Sequence, residues 1–297
     1  MDKIKIGYFA DGPWSHQAFE KIISDRELTI KFICVRYDTK DDTLKNYCNK
    51  YNIDYLKNKN INSTEFLDSI IHYQCDLFVS MSFNQIFKKS IINIPRLKTI
   101  NCHAGKLPFY RGRNILNWVL INGEKEFGVT VHYMDEGIDT GDILLQKSFQ
   151  ITDMDDYSTL LNRAYKECAL LLYESIKKIK NGTVNRQAQK SIHPVGFYCS
   201  NRKEGDEIIN WNQSSRDVFN FIRAISLPGP QARTFFQENE VCINRAALIN
   251  DAPIYKGIPG AVLKANENEL IIKTKDSFIC IIEWYCKEKI KTGRRLK

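Results

Sequence analysis

No apolar run in the chain approaches the ~20 residues that a membrane-crossing helix needs. The opening residues, Met-Asp-Lys-Ile-Lys-Ile-Gly, lack the ~7–15-residue apolar core of a secretion signal. The expectation is a cytoplasmic protein with no membrane partner. Metal-binding spacings are missing as well. The nine cysteines are odd in number and include no CxxC pair, and no HExxH occurs, so neither a disulfide framework nor a metal site is expected. The thiols read as free and mostly buried, in a reducing compartment. A GxGxxG loop is also absent. The first strand–loop–helix reads Gly7-Tyr8-Phe9-Ala10-Asp11-Gly12-Pro13-Trp14, which gives a dinucleotide site poor support.

The net charge of +8 invites a nucleic-acid reading, but its distribution removes it. Residues 1–150 hold 20 basic and 18 acidic side chains, whereas Lys287–Lys297 holds six basic residues against Glu288. The excess is largely a terminal tail, no basic face follows from it, and no nucleic-acid partner is expected. A length of 297 residues with 43% hydrophobic and 26% charged residues suits a globular protein of two domains.

Short β-prone runs at 3–9, 29–36, 76–81 and 98–103 alternate with helical stretches at Ser15 to about Ser24, 41–51 and 63–73, the last opened by Asn62-Ser63-Thr64 as a capping signal. Such alternation predicts βαβ units and a parallel sheet, whose ligands gather at the carboxyl ends of its strands. His103 and the Met81-Ser82 segment lie at two such ends. A helix is expected over 113–121, a strand over 128–134 and a long amphipathic helix over 157–180. The polar stretch 182–205 reads as a linker. Beyond it come a helix over 214–225, closed by Leu227-Pro228-Gly229-Pro230, and β-prone runs at 233–236, 241–243, 260–264, 269–273 and 278–284, which suit a small β-barrel. The domains are therefore expected at 1–198 and 199–297.

The stretch Asn101–Leu145 carries four motif elements in order: Asn101-Cys102-His103, Leu107-Pro108-Phe109-Tyr110-Arg111-Gly112, Gly128-Val129-Thr130 and Asp139-Thr140-Gly141. Together they resemble the folate-dependent formyltransferases, a group that includes methionyl-tRNA formyltransferase, glycinamide ribonucleotide formyltransferase and the amino-sugar N-formyltransferases. The resemblance implies a Rossmann-like, mostly parallel catalytic domain with a smaller OB-like β-barrel, and 10-formyltetrahydrofolate as co-substrate. It assigns Asn101 to oxyanion stabilisation, His103 to acid/base and electrophilic help, and Asp139 to orienting His103 and accepting a proton. Elementary chemistry agrees. Formyl transfer to an amine passes through a tetrahedral oxyanion that an amide and an imidazole can stabilise. The amine must shed a proton near neutral pH, which an imidazole can handle. Two positions apart on a strand, Asn101 and His103 face one way. Singly, each has a plain structural reading: a turn cap, a satisfied core histidine, a turn aspartate. The other histidines match no motif, and His132 on its strand reads as structural.

By the same resemblance, the pterin of the carrier lies beside the loop after the third predicted strand, at Met81, Ser82, Phe83, Asn84, Ile86 and Phe87, with Gly137 and Ile138 nearby; an ordinary loop with buried aromatics is the other reading. The family's usual serine after N-x-H-x is replaced by Gly105-Lys106, as in the sugar enzymes. Residues 37–47 are short and acidic where tRNA-formylating members carry a basic insert. The stretch Arg202–Trp211, with Ile222-Arg223-Ala224 and Pro228-Gly229-Pro230-Gln231-Ala232 after it, resembles the second domain of the sugar and tRNA enzymes, which glycinamide ribonucleotide enzymes generally lack. A nucleotide-linked amino-dideoxy sugar is the expected acceptor, for example a dTDP-4-amino-4,6-dideoxyhexose. Lys106, Arg111, Arg113 and Arg202 are candidates for its diphosphate, Phe109 or Tyr110 for stacking, and Asn114 marks a departure from the family's usual residue. For Arg111, anchoring of a loop through backbone carbonyls fits equally well. Methionyl-tRNA formyltransferase is the alternative, and a non-catalytic folate or nucleotide-sugar binding module the third. A homodimer is expected, with Phe219, Phe235 and Phe236 as possible contacts; core packing explains them equally.

Overall fold

The computed structural model describes residues 3–297, which fall into two compact units. The first runs to Gly112 and adds Gly128–Phe149 and Asn162–Tyr198. In chain order its elements are β1 (Ile4–Ala10), α1 (Pro13–Ser24), β2 (Leu28–Val35), α2 (Thr43–Tyr51), β3 (Asp54–Lys57), α3 (Thr64–Ile71), β4 (Leu77–Met81), α4 (Lys89–Ile92), β5 (Thr99–His103) and the two-residue β6 (Arg111–Gly112). After α5 (Ile115–Ile121), which belongs to the second unit, come β7 (Glu126–Tyr133), β8 (Ile143–Gln150), α6 (Tyr157–Lys180) and the two-residue β9 (Tyr198–Cys199).

Seven strands form one sheet in the order β3-β2-β1-β4-β5-β7-β8. Pairings from β3 to β5 are parallel, and β5 meets β7 antiparallel. The central strands are buried along nearly their whole length, as expected of strands covered on both faces. Pro13 occupies the first turn of α1, where its missing N–H costs nothing. Ser63 caps α3 by accepting from the Phe66 N–H. A phenylalanine cluster fills one side of the sheet: Phe9 lies edge-on to Phe78 at 5.2 Å and to Phe87 at 5.0 Å.

The two unanticipated strands, β3 and β8, are the two edges of the sheet. Edge strands expose one side, so Asp54-Tyr55-Leu56-Lys57 and the Gln146-Lys147-Ser148 core of β8 carry too few apolar residues to stand out. The expected linker at 182–205 is a second difference. Gln187 bridges Ile143 through paired 2.9 Å bonds, and Gln189 is only 3% exposed. Through Tyr198 this segment packs on the first unit by hydrogen bonds, which apolar periodicity cannot reveal.

The second unit comprises Arg113–Phe127, Gln150–Leu161 and Cys199–Lys297. Here α5 packs against α7 (Ser215–Ala224), with Asn117 Nδ2 donating to Ala224 O at 2.6 Å. Five antiparallel strands follow: β10 (Ala232–Phe236), β11 (Asn239–Ala247), β12 (Val262–Ala265), β13 (Leu270–Lys273) and β14 (Phe278–Cys286), in the order β10-β11-β14-β13-β12. The last residues lie between the two edge strands of this half-barrel. Lys297 exchanges backbone bonds with Phe235 beside β10, while Leu296 N–H reaches Gly260 O and Val262 N–H reaches Arg294 O beside β12. Leu296 is 1% exposed. Part of the basic tail is thus structural. Phe219 and Phe236 are buried, which removes them as surface contacts and leaves Phe235 exposed. All nine cysteines are free.

Candidate active site

The antiparallel register of β5 and β7 places His132 directly across from Asn101, and Thr130 across from His103. Cross-strand partners share a face of the sheet, so all four side chains converge. Thr130 Oγ1 donates to Gly105 O at 2.6 Å and accepts from Gln146 Nε2 at 2.8 Å, which pins the loop leaving His103. Gly128, on the same strand, allows that loop to approach; a Cβ there would lie 2.6 Å from Lys106 Cβ.

His103 is 8% exposed. Its Nε2 lies 2.7 Å from Tyr110 O, so that nitrogen carries the hydrogen and donates it. Its Nδ1 faces Asp139 Oδ2 at 3.5 Å. The approach of the ring to the Tyr110 carbonyl requires Gly105, whose Cβ would meet both His103 Nε2 and Tyr110 O at 2.5 Å. Tyr110 itself is buried edge-on against Phe197 at 4.8 Å. Its ring is therefore not open for stacking on a ligand, and its backbone carbonyl is what reaches the site.

Asp139 stands at φ 54° on the loop after β7. Oδ2 accepts from the Gly112 N–H at 2.9 Å, and Oδ1 lies 3.5 Å from His132 Nε2. Burial pushes this carboxyl up, but the charge His103 carries when protonated, the hydrogen bond and charge of protonated His132 and the Gly112 N–H outweigh it and hold the group well below the usual carboxylate range. The sequence reading of His132 as merely structural missed this contact. His132 is 2% exposed and its Nδ1 donates to Tyr133 O at 2.7 Å. Its Nε2 lies 3.3 Å from Asn101 Nδ2, so the ring sits between that amide and the carboxylate. The signal that could have found it was the pairing register, not a motif.

Arg111 takes the loop-anchoring role. Buried at 7% exposure, it donates to Gln189 Oε1 at 3.0 and 2.7 Å and to Val195 O at 3.1 Å, so its guanidinium is committed inside the unit and not to a diphosphate. Gln189 in turn donates to Asp139 O and Gly141 O, both at 2.8 Å, and so fixes the loop that carries the carboxylate. No sequence motif marked Gln189. Phe109 is half-buried between His193 at 5.2 Å and Phe197 at 5.6 Å. Lys106 is half-buried on the loop after His103.

At the carboxyl end of β4, Met81 and Phe87 are buried in the core, so they offer the expected pterin loop only backbone groups. Ser82 sits at φ 57° and is clamped by Arg36, which donates to Ser82 O at 2.7 Å and to Ser82 Oγ at 2.9 Å. Arg36 is a third residue that the sequence reading missed. Phe83 is half-buried against Phe9, Asn84 donates to Asp38 Oδ1 at 3.2 Å, and Ile86 is 67% exposed. Gly137 and Ile138 are exposed, the Gly137 N–H turning onto Asp135 Oδ1 at 3.1 Å.

Arg113, Asn114 and Arg202 belong to the second unit. Arg113 is exposed there. Asn114 and Arg202 line a cleft of about 290 Å³ with Asn117, Tyr157, Glu207 and Pro228. The Arg202 N–H donates to Asn114 Oδ1 at 2.9 Å, and its guanidinium lies over the Trp118 and Phe221 rings at 5.7 and 5.6 Å. Among the described residues no group of three or more His, Cys, Asp or Glu is placed to hold a metal ion, and no helix is long and apolar enough to cross a membrane.

Two imidazoles and an amide surround one half-buried carboxylate, and the chain belongs to the formyl transferase family. Formyl transferase matches residues 31–176 and formyl transferase, C-terminal domain, matches 202–293. The chain is similar to the methionyl-tRNA formyltransferase of Pelotomaculum thermopropionicum, 32% identical over 240 residues, 81% of this chain and 75% of that one. It is also similar to the bifunctional polymyxin resistance protein ArnA of Wigglesworthia glossinidia brevipalpis, 33% identical over 78% of this chain and 35% of that one. Its fold matches WlaRD, a sugar 3N-formyl transferase solved with dTDP and 5-N-formyl-THF, with a TM-score of 0.72, 23% identity, and coverage of 98% of this chain and 100% of that one. An N-formyltransferase from Helicobacter canadensis, solved with folinic acid and dTDP-3-aminofucose, matches with a TM-score of 0.68 at 22% identity, over 96% of this chain and all of that one.

Proposed function

We propose that this protein transfers a formyl group from 10-formyltetrahydrofolate to the amine of a nucleotide-linked amino-dideoxy sugar, a dTDP-4-amino-4,6-dideoxyhexose or a near relative. The observation that carries formyl transfer is the half-buried Asp139 carboxylate between His103 and His132, with the Asn101 amide beside it. The chain fits the carrier. Half-buried Phe83 and exposed Ile86 give a flat ring an apolar surface, and Ser82, Asn84 and the loop backbone give its edges polar groups. Bound there, the carrier supplies an electrophilic formyl carbon.

The residues then divide the work. The Asn101 amide, 3.3 Å from His132 Nε2, donates an N–H to the carbonyl oxygen as negative charge develops. The neutral amine loses one proton on acylation. His103 Nδ1 takes it, the Asp139 carboxylate 3.5 Å away stabilises the resulting imidazolium, and His103 then returns the proton to the carrier nitrogen as its bond to the formyl carbon breaks and tetrahydrofolate leaves. Because the Asp139 carboxyl is held so low, the proton rests on the imidazole and not on the carboxylate.

Two observations favour a sugar acceptor. The connection from β2 to α2 carries Asp38, Asp41 and Asp42 against Arg36 and Lys40, so it offers no basic surface to tRNA. A sugar 3N-formyl transferase also matches this chain over essentially its whole length. The 31–35% identity to methionyl-tRNA formyltransferases favours the second reading, a charged initiator tRNA. Thermal shifts separate the two. With 5-formyltetrahydrofolate present, dTDP or UDP is expected to raise the melting temperature; no shift with either nucleotide, against a shift with charged tRNA, rejects the sugar.

A further inference from the structure

We infer that Gln189 is a positioning residue for the proton transfer: its amide holds Asp139 where the carboxylate faces His103. The inference rests on the formyl-transfer reading of the site and adds a residue to it. Gln189 lies on the segment between α6 and β9 and is 3% exposed. Its neighbours fix which way the amide points. Arg111 has only N–H groups to offer, so the atom they meet, at 3.0 and 2.7 Å, is the oxygen Oε1. The Asp139 and Gly141 carbonyls can only accept, so Nε2 faces them and gives one N–H to each, both at 2.8 Å. All four bonds need an amide. A glutamate could accept from Arg111 but not donate to the loop, and a lysine could donate but not accept.

The two bonds to the loop fall where its backbone most needs support. Asp139 is a non-glycine residue at φ 54°, a conformation that persists only where the surroundings enforce it. Gln189 holds its carbonyl and that of Gly141, on either side of Thr140, and so sets the backbone on which the carboxylate stands. The carboxylate itself accepts from the Gly112 N–H at 2.9 Å. The titratable groups facing it are His103 on β5 and His132 on β7, each at 3.5 Å. That distance is near the outer limit of a hydrogen bond, so a small drift of the loop parts the carboxylate from the imidazole. Behind the amide, Arg111 is 7% exposed and donates also to Val195 O at 3.1 Å, which makes it the anchor.

The test compares Gln189→Met, which removes the whole amide, with Gln189→Glu, which keeps the acceptor for Arg111 and loses both donors to the loop. Each is made in the wild type and in the Asp139→Asn background. The assay uses whichever amine the wild type formylates, the dTDP-amino sugar or charged initiator tRNA. Both substitutions are expected to lower kcat by about tenfold or more, up to the ~10²-fold that a misplacement of about 1 Å can cost. In the Asp139→Asn background either should cost almost nothing further, because the effect runs through the carboxylate. Wild-type kcat in Gln189→Glu would assign the role to the Arg111 anchor and overturn the inference. An equal fold-loss in both backgrounds, or none in either, would overturn it too. Should the added charge keep Gln189→Glu from folding, Gln189→Met in the two backgrounds decides. A readout without substrates keeps the inference separate from the choice of acceptor. The Gly112 amide proton is expected to move upfield and to exchange faster in both variants, because its bond to Asp139 Oδ2 loosens. An unchanged Gly112 amide refutes the inference even if formyl transfer to a sugar is confirmed. Wild type that formylates neither amine refutes the functional reading, and the Gly112 amide then decides the inference alone.

Discussion

At the scale of single residues, the site is built from side chains whose second contacts matter as much as their first. Asp139 is held by Gly112 N–H and faced by two imidazoles, so Asp139→Asn keeps the shape and removes the charge that stabilises a protonated His103. Its kcat is expected to fall by about 10²–10⁴, the range of a lost acid/base contribution, while carrier binding measured by fluorescence stays intact. Gly105→Ala probes the same ring from the other side. A methyl group there must displace His103 Nε2 or the Tyr110 carbonyl, so we expect about 1–3 kcal/mol of lost stability in chemical denaturation and a collapse of turnover. Gly105, which the sequence marked only as a sign of the acceptor, is thus tied to the His103 ring itself. Asn101, His103 and Asp139 were legible because motif order and spacing recorded them. His132, Gln189 and Arg36 were not, because each acts through a partner brought close by strand register or by a packed irregular segment.

At the scale of elements, the buried strands and the long helix α6 were legible from apolar patterning, and what escaped were the edges: β3, β8 and the packed segment before Tyr198. These satisfy backbone groups with few apolar side chains, so no period betrays them. A charge cluster ties α6 to the turn between α1 and β2. Tyr173 Oη donates to Asp25 at 2.7 Å, Lys177 Nζ donates to it at 2.9 Å, and Lys177 and Lys180 also pair with Glu27. Burial pushes the Asp25 carboxyl up, but the bonds from Lys177, the Glu27 N–H and Tyr173 outweigh it and bring it down to about 2. A carboxyl lowered on folding adds stability that is complete above its unfolded value near ~3.9 and is lost as pH falls toward the folded value. Lys177→Met should therefore melt below the wild type at pH ~6, and the gap should narrow between pH ~4 and ~2; a gap constant over that window would exclude Asp25 as its cause.

At the scale of the whole molecule, the basic tail is seated on the second unit by its backbone and Leu296, while its six basic side chains stay exposed. Trp211 Nε1 donates to Thr234 Oγ1 at 2.9 Å, and Thr234 Oγ1 donates to Lys297 O at 2.7 Å, so Trp211 fluorescence should report how the last residues seat. Leu296→Ala, at 1% exposure, is expected to cost about 2–5 kcal/mol, read by urea unfolding of the full chain. Charge also separates the acceptors. An enzyme that grips six to ten tRNA phosphates would lose about 10³–10⁵ in affinity between roughly 50 and 200 mM salt, whereas a sugar nucleotide with two phosphates should show a shallow dependence of kcat/KM. The most direct test of formyl transfer to a sugar is product analysis. The protein is incubated with 10-formyltetrahydrofolate and, in parallel, a dTDP-4-amino-4,6-dideoxyhexose and charged initiator methionyl-tRNA, and the mass of each acceptor is followed. We predict a formyl group gained by the amino sugar and none by the tRNA; formylation of the tRNA with the amino sugar unchanged would contradict the proposed function.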